Sequence, residues 1–184
     1  MNDPHLSVRE LQASDLDPII RYWLDSPPSF MQGMGVDLAK MPTREQWVDM
    51  LSRQLTLSYE DKPSYAIIWL ADGEPIGHSN VGKIEYGVRA YMHLHLWQQD
   101  VRRKGMGTAL VRLTLPYYFE NLHLQTLYCE PYALNPAPNK TLEKVGFRHV
   151  ETYTGTPGWL NFEQQVNVWE LTRARFEKLG GVHS

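Results

Sequence analysis

The chain has 184 residues, 42% hydrophobic and 21% charged, with a formal net charge of -3 and a sequence pI of about 6.2. That length suits one domain around one core, the composition is that of an ordinary globular protein, and the acidic balance argues against a general nucleic-acid binder. One cysteine, Cys129, excludes an intrachain disulfide and fits a reducing compartment, so the cytoplasm is expected. No apolar run is long enough to span a bilayer, and the polar opening MNDPHLSVRE lacks the apolar core of a signal peptide. Neither nucleic acid nor membrane is expected as a partner.

In chain order, residues 6–11 alternate apolar and polar, as a half-buried strand does. Ser14, with Asp17 three residues on, reads as the cap of a helix whose buried face is Leu16, Ile19, Ile20, Trp23 and Leu24. Residues 26–42 hold two consecutive prolines, two glycines and three methionines and read as one long loop. Loops of that length are often functional and Met-rich surfaces adapt to ligands, so Phe30, Met31 and Met34 are candidate substrate contacts. Thr43 and Gln46 form a capping box for a second helix with the stripe Trp47, Met50, Leu51 and Leu55. Residues 65–70 are a continuously apolar strand, Asp72-Gly73 signals a hairpin turn, and residues 75–86 return. Residues 91–97 are the next strand.

A helix follows from Gly105 and buries Leu110, Leu113, Leu115, Tyr118 and Leu122; Pro116 inside it implies a bend or early stop near Arg112. Residues 125–130 are a strand. Asn135 caps the next helix, with Pro136 at its first position and Gly146 closing its C-terminal end. Strands at 147–153 and 164–171 and a tail helix capped by Thr172 complete the pattern. Strands alternating with helices, with hairpins in the first half, imply a mixed sheet covered on both faces.

The stretch DVRRKGMGT, residues 100–108, joins a strand to a helix N-terminus. Its glycines let backbone approach a ligand, and the helix start offers unpaired N–H groups and a favourable dipole, a setting for a phosphate or pyrophosphate. It is neither a P-loop nor a dinucleotide fingerprint, because neither spacing is met.

Arg102-x-x-Gly105-x-Gly107 resembles the Arg/Gln-x-x-Gly-x-Gly/Ala signature of the GNAT N-acetyltransferase superfamily. NPAPNKTLEKVGF, from Asn135 to Phe147, is similar to that family's Asn…Leu/Tyr-Glu-Lys-x-Gly-Phe segment. The two matches fall in the family's order and separation, and with the opening strand and helix the resemblance covers nearly the whole chain. It points to the bacterial ribosomal-protein and small-molecule acetyltransferase branch. The resemblance implies an α/β GNAT fold: a mixed, mostly antiparallel central sheet of six to seven strands, splayed between the fourth and fifth, with helices on both faces. It implies a single domain over residues 1–184, with an acceptor-side loop at 26–42 and a CoA-binding core at 91–147. Acetyl-CoA is the implied co-substrate, and a primary amine of a small molecule or a protein N-terminus the acceptor. A homodimer is compatible with it. No metal-ligand spacing occurs among the His, Cys and carboxylate residues, so no metal is expected.

The resemblance also assigns roles. Backbone N–H groups of Arg103, Lys104, Gly105, Met106, Gly107 and Thr108 hold the pyrophosphate, with Arg102, Arg103 and Lys104 adding charge. Strand residues up to Leu96 and Trp97 pair with the pantetheine arm, and Asn135 contacts the arm or a water. Alternation puts Tyr91, His93, His95 and Trp97 on one strand face. A His-x-His here resembles the proton-relay pair of arylalkylamine acetyltransferases, with His93 at its second position and Tyr91 where the first falls. Histidine titrates near neutrality, so His93 and His95 are the candidate bases, Glu85 and His78 lesser ones, and bulk water an alternative. The tyrosine that many members place before Glu-Lys-x-Gly-Phe is Leu142 here, which leaves Tyr132 or Tyr128 as candidate acid. That missing tyrosine also motivates a rival, a non-catalytic acyl-CoA-binding module of the same fold. Cys129 reads as a buried strand residue with no activating base.

Overall fold

The computed structural model describes residues 3–97 and 105–180. Seven strands form one sheet: β1 (Leu6–Glu10), β2 (Tyr65–Ala71), β3 (Glu74–Glu85), β4 (Arg89–Leu96), β5 (Thr126–Cys129), β6 (Arg148–Gly155) and β7 (Gln164–Thr172). Their order is β1-β2-β3-β4-β5-β7-β6, and among these strands β4 and β5 alone pair in parallel. Six α-helices accompany them: α1 (Leu16–Asp25), α2 (Pro28–Gly33), α3 (Arg44–Thr56), α4 (Met106–Pro116), α5 (Pro136–Val145) and α6 (Arg173–Gly180). No helix among the described residues is long and apolar enough to cross a membrane.

The apolar run of β2 explains the layering. Side chains alternate across a strand, so Tyr65, Ile67 and Trp69 join α4 and α5 in one core, while Ile68 and Leu70 join α1 and α3 in another. Each fully buried aliphatic side chain contributes about 1.5–3 kcal/mol. Helices therefore cover both faces, as the resemblance implies.

Several local expectations are corrected. Ser14 does not cap α1: a 3-10 turn, Ala13–Asp15, precedes it, and Gln12 with Asp15 forms the capping box. The Asp15 carboxylate is buried, takes the Arg9 guanidinium at 2.6 and 2.9 Å, and accepts the Gln12 N–H at 2.7 Å. A buried ion pair of this quality outranks a local hydroxyl cap. On α1, Tyr22 is buried and Leu24 exposed. Residues 26–42 are not one loop. Pro28 starts α2, because a proline in the first turn removes no helical bond, and Asp37 caps a 3-10 turn at Leu38–Lys40 by accepting from Ala39 N–H at 3.1 Å. α4 does not stop near Arg112. It continues through Pro116 and widens into a π turn, Tyr117–Asn121. Proline has no N–H to give, and burial of Tyr118, Phe119 and Leu122 holds the widened turn in place. Leu113, expected inside, is exposed.

The feature that positions the site is the short parallel pair. β4 and β5 match only at Arg89↔Thr126, Ala90↔Leu127 and Tyr91↔Tyr128. The Tyr91 and Tyr128 rings stack with centroids 5.3 Å apart at the end of this pairing. β4 runs on to Leu96 while β5 ends at Cys129, so the sheet opens beyond that pair.

Candidate active site

The backbone of β4 supplies donors to the opening. Trp97 N–H donates to Ile76 carbonyl at 2.9 Å, toward β3. N–H groups alternate sides along a strand, so those of His93 and His95 also face β3, and those of Met92 and Leu94 face the gap. Trp97 was expected to serve the cofactor, but its indole N–H also donates inward, to His78 Nδ1 at 2.8 Å. Both of its donors are thus used within the protein. The Leu96 side chain packs into the core under α4. Gly77 makes this arrangement fit: a Cβ there would lie 2.4 Å from the His95 carbonyl oxygen and 3.1 Å from Leu96 Cα.

At the head of α4, Gly105 takes φ 76°, a left-handed conformation that glycine adopts without strain. Ala109 N–H bonds back to the Gly105 carbonyl at 3.2 Å, so the N–H groups of Met106, Gly107 and Thr108 precede the first helical bond. A Cβ at Gly107 would meet Thr141 only at 3.6 Å, so the first turn is uncrowded. These groups suit a diphosphate. Arg102, Arg103 and Lys104 lie outside the described residues.

A cavity of about 510 Å³ runs along the α1 side of β4 and reaches the opening beside β5. Its outer wall is the segment 157–161, tied down across the sequence. Asp37 N–H donates to Leu160 carbonyl at 2.9 Å, Lys40 Nζ to Asn161 carbonyl at 2.6 Å, and Lys83 Nζ to Pro157 carbonyl.

Three histidines line the cavity, in three states. His78 is almost fully buried and accepts the Trp97 indole N–H at Nδ1, which fixes it as a neutral ring; burial pushes its pKa down to about 3. His95 stacks on His78 at 4.8 Å and has Tyr22 OH at 3.1 Å from Nδ1. Tyr22 also has Met34 Sδ at 3.2 Å. Burial lowers the His95 pKa well below its ordinary value. His93 differs. Its ring is open to the cavity and makes no hydrogen bond among the described residues. Its side chain is exposed on the cavity side, and the protein atoms packed around it, with Lys83 adding repulsion, push its pKa down to about 4. At neutral pH His93 is an unprotonated imidazole with its acceptor nitrogen unengaged.

The other expected residues are scattered. Tyr132 lines the cavity, edge-on to Phe162 at 5.8 Å. Tyr128 lies beneath Tyr91 and donates to Glu170 at 3.3 Å, off the cavity. Asn135 lines the cavity and makes no side-chain capping bond. Glu85 is misplaced: it sits exposed by the β3–β4 turn, held by Arg89 at 2.7 and 2.8 Å. Glu85 pairs with Arg89, at the closed end of the β4–β5 pairing and away from the opening. Of the three substrate contacts, Met34 lines the cavity, Met31 is 1% exposed within the core, and Phe30 packs edge-on against Tyr22 at 6.2 Å. Folding of α2 turns Met31 inward. Leu142 is fully buried, so its position supplies no acid. Cys129 borders the cavity, and burial pushes its thiol pKa up.

Among the cavity residues that escaped the sequence reading are Trp23, Trp47, Trp159, Glu130, Lys83 and Arg53. Trp23 stacks on Trp47 at 5.2 Å, and Trp47 meets Trp159 at 6.1 Å. Glu130 is the one carboxylate on the cavity wall among the described residues. Burial raises its pKa, while Lys83 at 4.0 Å and the Tyr153 hydroxyl at 3.5 Å oppose that. The buried Trp47 Nε1 and Asn80 Oδ1 have no partner among the described residues. No group of three or more His, Cys, Asp or Glu among those residues is placed to hold a metal ion.

A parallel pair that parts after three residues, beside a glycine-led helix start, is the arrangement that the resemblance to acyl-coenzyme A-dependent transferases implies. The family described as "Acetyltransferase (GNAT) domain" matches residues 5–148, and the chain belongs to it, with acetyl-CoA as co-substrate of N-acetylation. The spermidine N-acetyltransferase of Vibrio cholerae, solved with CoA and spermine, shares the fold at TM-score 0.75 and 17% identity, over 94% of this chain and 98% of that one. The ribosomal L7/L12 alpha-N-protein acetyltransferase RimL, solved with coenzyme A, does so at TM-score 0.73 and 14% identity, over 92% and 95%. A search of curated proteins returned no match.

Proposed function

We propose that this chain moves the acetyl group of acetyl-CoA onto a primary amine seated in the cavity along β4, with His93 as proton acceptor. The acceptor is an amine of a small molecule, as for spermidine acetylation, or of a protein N-terminus, as for ribosomal-protein acetylation. One observation carries the reading: beyond Tyr91↔Tyr128 the sheet opens onto the same cavity that His93 faces.

The roles follow from chemistry. The N–H groups of Met106, Gly107 and Thr108 bind the diphosphate at the helix head. Leu94 N–H, aimed at the gap, polarises the thioester carbonyl. His93, neutral at pH 7, takes the proton that the amine loses. Tyr132 is the nearest candidate to protonate the departing thiolate, although a thiol is acidic enough to leave without help. Asn135, which lines the cavity, is the candidate contact for the cofactor arm.

The test is release of free thiol from acetyl-CoA across a panel of amines. Release that depends on the amine is expected. Tight binding of acetyl-CoA with no amine-dependent release would favour the non-catalytic module.

A further inference from the structure

We infer that the acceptor is a small primary amine with one positive charge and a flat apolar body, and that the cavity excludes polyamines. The inference rests on the acetyl-transfer reading and names the substrate class of that site.

Charge comes first. Glu130 is the one carboxylate on the described cavity wall, and Lys83 stands 4.0 Å from it. Arg53 adds a second cation to the wall; it is paired at 2.8 Å with Asp49, which does not line the cavity. All three histidines are uncharged at neutral pH. The wall therefore offers one negative group against two positive ones. A single ammonium arriving as the reacting end meets Glu130. Further ammonium groups of a polyamine would meet the like charges of Lys83 and Arg53 at the exposed rim, with no further carboxylate on the described wall to receive them.

Shape gives the body. Trp159, 60% exposed, Trp47 and Trp23 form a row that ends on His95, which Trp23 meets edge-on at 4.9 Å. A large exposed indole beside a cavity is costly surface that a flat apolar group covers well. The row is not a cage for cations. Trp23 and Trp47 cover each other's faces at an interplanar angle of 14°, which leaves Trp159 as the indole with an open face. The indole N–H of Trp47, buried without a partner among the described residues, adds an unmet donor to this wall.

The experiment uses the full chain, acetyl-CoA and thiol release, with 2-phenylethylamine and spermidine as probes at pH 7.5. The kcat/KM for 2-phenylethylamine should exceed that for spermidine on the order of 100-fold. Lys83→Gln should narrow that gap by improving spermidine. Trp159→Ala should raise KM for 2-phenylethylamine about tenfold and affect spermidine less. Spermidine turned over as well as the aromatic amine would overturn the inference and leave acetyl transfer standing. Loss of thiol release with every amine would overturn both.

Discussion

The two halves of the cavity are assembled differently. The proposed cofactor half comes from one stretch of sequence, in which β4, α4, β5 and α5 follow one another and pack on each other. The acceptor half gathers Trp23 from α1, Trp47 from α3, His78 from β3 and Trp159 from the β6–β7 connection. Its wall is held by single bonds such as Asp37 to Leu160 and Lys40 to Asn161. The first half is complete once these neighbouring elements have packed together. The second depends on the finished tertiary fold, so substitutions there change acceptor choice while leaving the chemistry in place.

That contrast can be broken at its strongest point with Gly105→Asp. A carboxylate at the helix head opposes the diphosphate, and aspartate tolerates the left-handed conformation better than most residues. Acetyl-CoA affinity should fall on the order of 1,000-fold in calorimetry; an unchanged Kd would place the phosphates elsewhere. Next in size, His93→Ala should lower kcat roughly 100-fold with little change in KM for acetyl-CoA. In the wild-type protein, no histidine titration should appear in the rate near pH 6.5, because His93 protonates only around pH 4. A clear inflection at 6.5 would contradict that lowered pKa.

Smaller effects sharpen the comparison. Gly77→Ala places a Cβ 2.4 Å from the His95 carbonyl, so the strands must separate. Overpacking of this kind costs about 1–3 kcal/mol, measurable by urea denaturation, and it should harm acceptor KM more than acetyl-CoA binding. Acid should also loosen the acceptor half. The folded-state pKa of His78 is depressed to about 3, below its unfolded value, so its contribution is full above about pH 6.5 and declines as pH falls toward 3. At pH 5 this amounts to about 2 kcal/mol from His78 alone. Thermal melts at pH 7 and pH 5 check it, and equal Tm values would show that His78 is not held as a buried neutral ring.

Much of this architecture could be read from residue order, for a physical reason. Period-2 alternation, the Asp72-Gly73 turn and the glycine-led start of α4 are local signals, and the structure keeps all three. Arg9 and Asp15 are only six residues apart, but their pairing depends on the chain turning between β1 and α1, and the Asn161 amide donates to the Gly35 carbonyl across 126 residues, so neither the α1 cap nor the cavity wall shows in residue periodicity. Trp23 and Trp47 carry helical spacing that reads as core, and both are core and cavity lining at once. Glu130, just past β5, carries no local sign of its place on the cavity wall, because its neighbours Lys83 and Tyr153 come from other strands. Residues 26–42 misled because their prolines and glycines punctuate two short helical turns as readily as they make a loop.

The claim that matters most is that thioester and amine meet in a single cavity where β4 leaves β5. A crystal structure with coenzyme A tests it directly. The account predicts the sulfur in the gap beside Leu94, on the side that His93 faces, with the diphosphate against Met106, Gly107 and Thr108. A sulfur outside that gap, or a diphosphate bound away from the head of α4, would contradict it.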